Sequence, residues 1–285
     1  MNVGRAGIWS VELRLGDRGE ISERAAELDE LGYGALWIPG LGGGDVLGDS
    51  ERLLKATRDL TVATGILSIW QHGSDEVAAG HHRLQQTYGR RLITGLGVSD
   101  PAAAAGAGRP FRPVADMNAY LDRLDSYATP LPPHERVLAA LGPKLLDVAA
   151  RRTGGVHTFL ATPESTAATR RSLGPTPFLA PYQAVVLDPD SDTARTTARG
   201  FLAPFIGMAH YARSLRRQGF TDSDLAGGGS DHLIDSVVAW GDAEAIGKRV
   251  QAQHDAGADH VALHVITTDG GFPRHQWREL APLTR

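Results

Sequence analysis

The feature that most constrains this chain is a repeated alternation of short apolar runs with stretches whose apolar residues recur at helical spacing. The runs are VGRAGIW (3–9), ALWI (35–38), LTVATGILSIW (60–70), RLITGLG (91–97), RVLAAL (136–141), VHTFLA (156–161), FLAPYQAVVL (178–187) and DHVALHVI (259–266). Between the first two, Ile21, Ala25, Leu28 and Leu31 lie on one helical face that ends at Gly32, with Ser22 placed to cap it. Further helices are expected at about 50–59, 77–88, 117–128, 144–152, 163–174 and 242–257, and the Gly/Ala/Pro-rich segment 101–113 reads as a loop. Eight strands alternating with helices describe an α/β fold, a closed parallel (β/α)8 TIM barrel rather than an open sheet. The length of 285 residues suits one such domain spanning 1–285. One interval breaks the rhythm: about seventy residues separate the seventh and eighth runs, and 189–240 reads as a helical insertion, a lid or pocket wall.

Composition narrows the chemistry. The chain has no cysteine, which removes disulfides, thiolate nucleophiles and Cys-ligated metals. A net charge of −4 gives no reason to expect nucleic acid or a membrane as partner. The start, MNVGRAGIWSVELRLGDRGE, carries no signal-peptide pattern and no run reaches membrane-spanning length, so a soluble, cytoplasmic protein acting on a small molecule is expected.

In a barrel of this kind a site is built at the C-terminal ends of the strands. Four places offer chemistry there. After the fourth strand, Gly95 and Gly97 allow a close backbone approach, and Val98, Ser99 and Asp100 supply amides, a hydroxyl and a carboxylate; a capped strand end is the alternative. After the fifth, Leu141, Gly142 and Pro143 open a helix whose free amides, with Lys144, suit a phosphate, although an ordinary strand-to-helix turn reads the same way. In the third, Gly65 interrupts an apolar strand that ends in Trp70, Gln71 and His72, as a bulge against a flat ligand or a tolerated core glycine. In the eighth, His260 and His264 share the parity of Ala262 and point inward, His264 near the mouth, and His157 on the sixth strand is placed to do likewise. No third ligand has metal-site spacing, so no metal is expected. His81 and His82 read as exposed helix residues.

Taken in order, GIWS, LDELGYGALWIP, ATGILSIW, GRRLITGLGVS, RVLAALGPKLLDVAARRTGGVHTFLATPE, GFTDSDLAGGGSD and AWGDAEAIGKRVQAQHDAGADHV resemble the bacterial-luciferase-like flavin or deazaflavin oxidoreductases, in particular the coenzyme F420-dependent branch. The resemblance covers nearly the whole chain. It implies a bulge, often a non-prolyl cis peptide, at Gly65 and Ile66 behind the cofactor ring. It implies further cofactor contacts at Val98, Ser99 and Asp100, and phosphate contacts at Leu141, Gly142, Pro143 and Lys144, with Ala161 and Thr162 nearby. Two departures stand out: relatives often carry an acidic residue or His after the second strand, where this chain has Gly40 and then Asp45, and Asp100 stands where the branch commonly has His. Hydride transfer between coenzyme F420 and a small organic substrate is the implied activity, with Asp100, His264 or His72 handling the proton. An FMN-dependent monooxygenase and a non-catalytic cofactor-binding barrel are the alternatives. A basic surface from Arg90, Arg91, Lys144, Arg151 and Arg152 would suit the acidic tail of F420, and barrels of this type often form homodimers.

Overall fold

The computed structural model describes residues 3–41, 43–99 and 101–284. Within them the apolar runs form β1 (Ala6–Trp9), β2 (Ala35–Ile38), β3 (Thr61–Thr64), β4 (Leu67–Ser68), β5 (Leu92–Gly97), β6 (Arg136–Leu138), β7 (Gly155–Thr158), β8 (Phe178–Leu187), β9 (Val238–Gly241) and β10 (Val261–Val265). β1, β2, β3, β5, β6, β7 and β8 lie side by side, and β10 pairs with both β8 and β1. This closes a parallel ring of eight strands with helices outside it, the expected (β/α)8 barrel.

Side-chain alternation explains the closure. In β2, Leu36 and Ile38 join the large cluster shared with the helices, whereas Ala35 and Trp37 join the cluster inside the ring. Trp37 fills the middle of that interior: its Nε1 donates to His260 Nε2 at 3.1 Å, and His157 stacks on its face at 4.3 Å. His260 Nδ1 donates to the Gly4 carbonyl and His157 Nδ1 to that of Ala180. Burial pulls both imidazoles down to about 4, so they are neutral packing elements rather than acids. This layer forms the floor beneath the C-terminal mouth.

Several local expectations are corrected. The first long helix, Arg18–Glu30, is capped by Asp17, whose carboxylate accepts from Gly19 N and Glu20 N, so Ser22 lies within the helix. The segment read as a loop at 101–113 contains a helix, Pro101–Gly106, favoured by proline at its first position and four alanines. The third run is two strands, β3 and β4, with a cis peptide at Gly65–Ile66 between them. The insertion holds helices Ser191–Ile206, Ala209–Arg217, Asp222–Leu225 and Asp231–Val237 and then β9. β8 outruns β7, which pairs only with Phe178–Pro181, and β9 takes the edge left at Ala184–Leu187. No helix among the described residues is long and apolar enough to cross a membrane.

Candidate active site

The mouth is organised around the break between β3 and β4. Gly65 N donates to the Ile38 carbonyl at 2.8 Å, Trp9 Nε1 donates to the Gly65 carbonyl at 3.1 Å, and Gly40 N donates to the Ile66 carbonyl at 3.1 Å. The irregular backbone is thus satisfied from β1 and β2. Gly65 is required here, since a Cβ would stand 2.6 Å from Trp9 Nε1 and 3.3 Å from His157 Nε2. Gly65 and Ile66 nevertheless remain half-buried, facing the mouth.

Gly95 and Gly97 serve a different purpose from the one expected. A Cβ at Gly95 would lie 2.0 Å from the Thr64 carbonyl, and one at Gly97 would lie 2.4 Å from Ile66 Cδ1. Their open faces admit the β3 backbone and the Ile66 side chain rather than a ligand. Beyond them the Val98 carbonyl accepts from Trp70 Nε1 at 2.6 Å, and Ser99 is exposed with φ of 49°. Asp100 lies outside the described residues.

The next rim segment is open to an anion. Helix Pro143–Arg152 starts at Gly142 with no side chain capping it, and a Cβ at Gly142 would meet only Arg217 Nη2, at 3.8 Å. Arg217, from the insertion, donates to the Leu141 carbonyl at 2.5 Å, and Lys144, in the first turn of the helix, is exposed. Uncapped first-turn amides with Arg217 at the Leu141 carbonyl make an electropositive corner. Ala161 and Thr162 share the rim but are engaged: Gln253 donates to the Ala161 carbonyl, Thr162 N donates to Gln218 Oε1, and the Thr162 hydroxyl caps Ser165 N. Of the other expected cations, Arg90 and Arg91 precede β5 and Arg151 and Arg152 end the helix, so all four sit at the opposite end of the barrel.

The remaining side is aromatic. His264 is inward on β10, as its parity predicted, with its ring 4.6 Å from that of Trp9 and 5.7 Å from that of Phe201. The Tyr182 hydroxyl bonds His264 Nδ1. Burial pulls His264 down to about 3, and burial, with the Glu12 carboxylate near it, pushes the Tyr182 hydroxyl well above its ordinary value. Glu12 is itself set by Ser10, whose hydroxyl donates to Oε2 at 2.6 Å.

Several of these groups escaped the sequence reading. Trp9 lay in the quoted GIWS without being singled out, and Glu12, Tyr182 and Arg217 carry no local motif; inward parity on β8 is the signal that could have found Tyr182. His72 is buried in the turn after β4, shifted downward chiefly by burial with Glu76, Arg14 and Asp45 around it, and its carbonyl accepts from the Tyr120 hydroxyl at 3.0 Å. Asp45 caps helix Val46–Ala56 through Gly48 N. His81 is buried rather than exposed, because Thr94 and Glu135 bond its two ring nitrogens at 2.9 Å.

No family model and no curated protein sequence matches the chain. Solved structures match it over nearly its full length. An F420-dependent secondary alcohol dehydrogenase in complex with an F420-acetone adduct is 16% identical, with 100% of both chains covered and a TM-score of 0.75. The coenzyme F420-dependent tetrahydromethanopterin reductase from Methanopyrus kandleri is 16% identical over 98% of this chain and 97% of its own, with a TM-score of 0.76. The oxygenating constituent of 3,6-diketocamphane monooxygenase from Pseudomonas putida, in complex with FMN, is 12% identical over 100% and 98%, with a TM-score of 0.69. The chain shares the barrel fold of these structures. Within this barrel, Gly65–Ile66, Ser99, Gly142 and His264 all lie at the C-terminal end of the strands, with the insertion packed against that end through Phe201 and Arg217.

Proposed function

We propose that this protein is an oxidoreductase that binds coenzyme F420 in the barrel mouth and exchanges a hydride between it and a small organic substrate. The observation that carries the reading is the presence, at one end of one barrel, of a half-buried strand break at Gly65–Ile66, where Gly65 has no side chain to cover its own backbone, and an uncapped helix start at Gly142. The first suits the flat face of a ring and the second suits a phosphate. Gly65, Ile66, Val98 and Ser99 would border the ring, and Leu141, Gly142, Pro143 and Lys144, with Arg217, would hold the phosphate; Ala161 and Thr162 support the adjoining turn. Bound there, the deazaflavin supplies the carbon that accepts or releases the hydride.

The chain's own residues would do the rest. Trp9 keeps the Gly65 carbonyl occupied and walls the mouth. The neutral His264 and Tyr182 form a hydrogen-bonded pair from which a proton can be held or passed, with the Glu12 carboxylate nearby. Phe201 and Phe205 of the insertion limit water above them. Coenzyme F420 is preferred to FMN here because the ordered sequence motifs resemble the F420-dependent branch, and F420-dependent enzymes are among the similar structures.

The test is a fluorescence titration with coenzyme F420 and, separately, with FMN, followed by a search for substrate-dependent reoxidation of the reduced cofactor. Binding of F420 with turnover is expected. FMN binding with oxygen uptake would replace the proposal with a monooxygenase, binding without turnover would leave a non-catalytic cofactor-binding barrel, and binding of neither would end the cofactor reading.

A further inference from the structure

The arginines of the insertion sort into two groups. Between Thr193 and Thr221 the chain carries five of them, Arg195, Arg199, Arg213, Arg216 and Arg217, and no acidic residue. Arg195 pairs with Asp235 at 2.7 Å, Arg199 pairs with Asp231, and Arg216 pairs with Asp222 at 2.7 Å, so these three tie the insertion to its own later turns. Arg213 and Arg217 take no part in this: both are exposed, and neither has a carboxylate partner among the described residues. Four residues apart on helix Ala209–Arg217, they stand one turn apart on the face away from buried Ala212 and Leu215. Like charges so placed repel, so the protein by itself gains nothing from the pair. His210 continues that face one turn back, its ring 4.1 Å from that of Tyr211.

This face begins at the phosphate corner. Arg217 Nη2 donates to the Leu141 carbonyl at 2.5 Å and would be 3.8 Å from a Cβ at Gly142. The other N–H groups of that guanidinium have no partner among the described residues. Lys144 is exposed in the first turn of helix Pro143–Arg152, and the acid nearest to it in sequence, Asp147, is engaged by Arg151. An anion seated at Gly142 and continuing as a chain of carboxylates would meet Arg217 first and Arg213 next, about 6 Å further along the helix. A ligand that ended at its phosphate would leave Arg213 unused.

We infer that helix Ala209–Arg217 is the binding surface for the acidic oligoglutamyl tail of coenzyme F420, with Arg217 at the junction of phosphate and tail and Arg213 on the carboxylates beyond it. This placement rests on the proposed function. It takes the tail away from Arg90, Arg91, Arg151 and Arg152, which stand at the other end of the barrel, and puts it on the insertion. FMN, which stops at its phosphate, has no group to offer Arg213.

Fluorescence titration of the wild-type protein with a form of F420 that has no glutamate, and with F420 carrying several, tests the placement. The tailed form should bind about tenfold more tightly at about 50 mM salt, as two exposed ion pairs would give, and the gap should close at about 1 M salt. Arg213→Glu should cut the gap to about twofold or less. Arg171→Glu, the same change of charge on an exposed arginine in the last turn of helix Pro163–Leu173, should leave it intact. Equal affinity for the two forms, a gap that survives Arg213→Glu, or an equal loss in Arg171→Glu overturns the inference and leaves the cofactor reading in place. Binding of neither form ends that reading, and the inference with it.

Discussion

Glycines at the mouth differ in what their missing side chain admits, and this gives them different consequences on substitution. At Gly95 the occupant is backbone, the Thr64 carbonyl 2.0 Å from a Cβ, whereas at Gly142 the nearest atom is the mobile end of Arg217 at 3.8 Å. Gly95→Ala should therefore cost about 3 kcal/mol or more, seen as a lower Tm, because neither strand can yield without breaking the ladder. Gly142→Ala should cost no more than about 1 kcal/mol, the difference between the two residues at a helix N-cap. Equal effects on Tm would contradict this account. The sequence GLG was legible as a special strand end, but its purpose was not: the atoms that fill it, Thr64 O and the Ile66 side chain, come from a different strand. His81 was misread for the same reason, since its partners Thr94 and Glu135 are brought to it only by folding.

Among the elements, the strands were legible because a period of two and a run of β-branched and aromatic residues are local properties. The helix Pro101–Gly106 and the short β9 were not, the first hidden in a composition that suggested a loop and the second four residues long at the end of a helical interval. Least visible was the polar scaffold behind β7 and β8. Gln253, fully buried, accepts from the Thr166 hydroxyl at 2.7 Å and donates to the Ala161 carbonyl at 3.0 Å and to Gln183 Oε1 at 3.1 Å. Gln218, just beyond helix Ala209–Arg217, bonds both Thr162 N and the Leu160 carbonyl. Together they tie the insertion and helix Ala243–Asp255 to the Leu160–Thr162 turn. Gln253→Ala leaves three buried groups without partners and should cost about 2 to 4 kcal/mol, measured by denaturant unfolding; a change within error would mean that the network does not hold the turn. Arg217→Ala removes an exposed side chain, so Tm should hold while F420 affinity falls by about tenfold. Unchanged affinity would take Arg217 out of the phosphate corner.

For the molecule as a whole, the barrel interior carries three neutral imidazoles, and this sets its response to acid. His157 and His260 are held at about 4 and His264 at about 3, chiefly by burial, against an ordinary value of 6.5. Below 6.5 the unfolded chain takes up protons that the folded one refuses, so stability is complete above that value and declines as pH falls toward about 4, continuing toward about 3 for His264. Tm measured from pH about 7 to about 4 should fall progressively; a flat profile would mean the imidazoles are not sealed in. The closed ring was legible from the eightfold alternation alone, which also named the end where the account places the site. What one tests most directly is whether that end takes the cofactor, and a crystal structure of the protein soaked with coenzyme F420 decides it. The account predicts the ring beside the Gly65–Ile66 peptide and the phosphate at the first turn of helix Pro143–Arg152; F420 bound elsewhere on the barrel, or absent at saturating concentration, would contradict it.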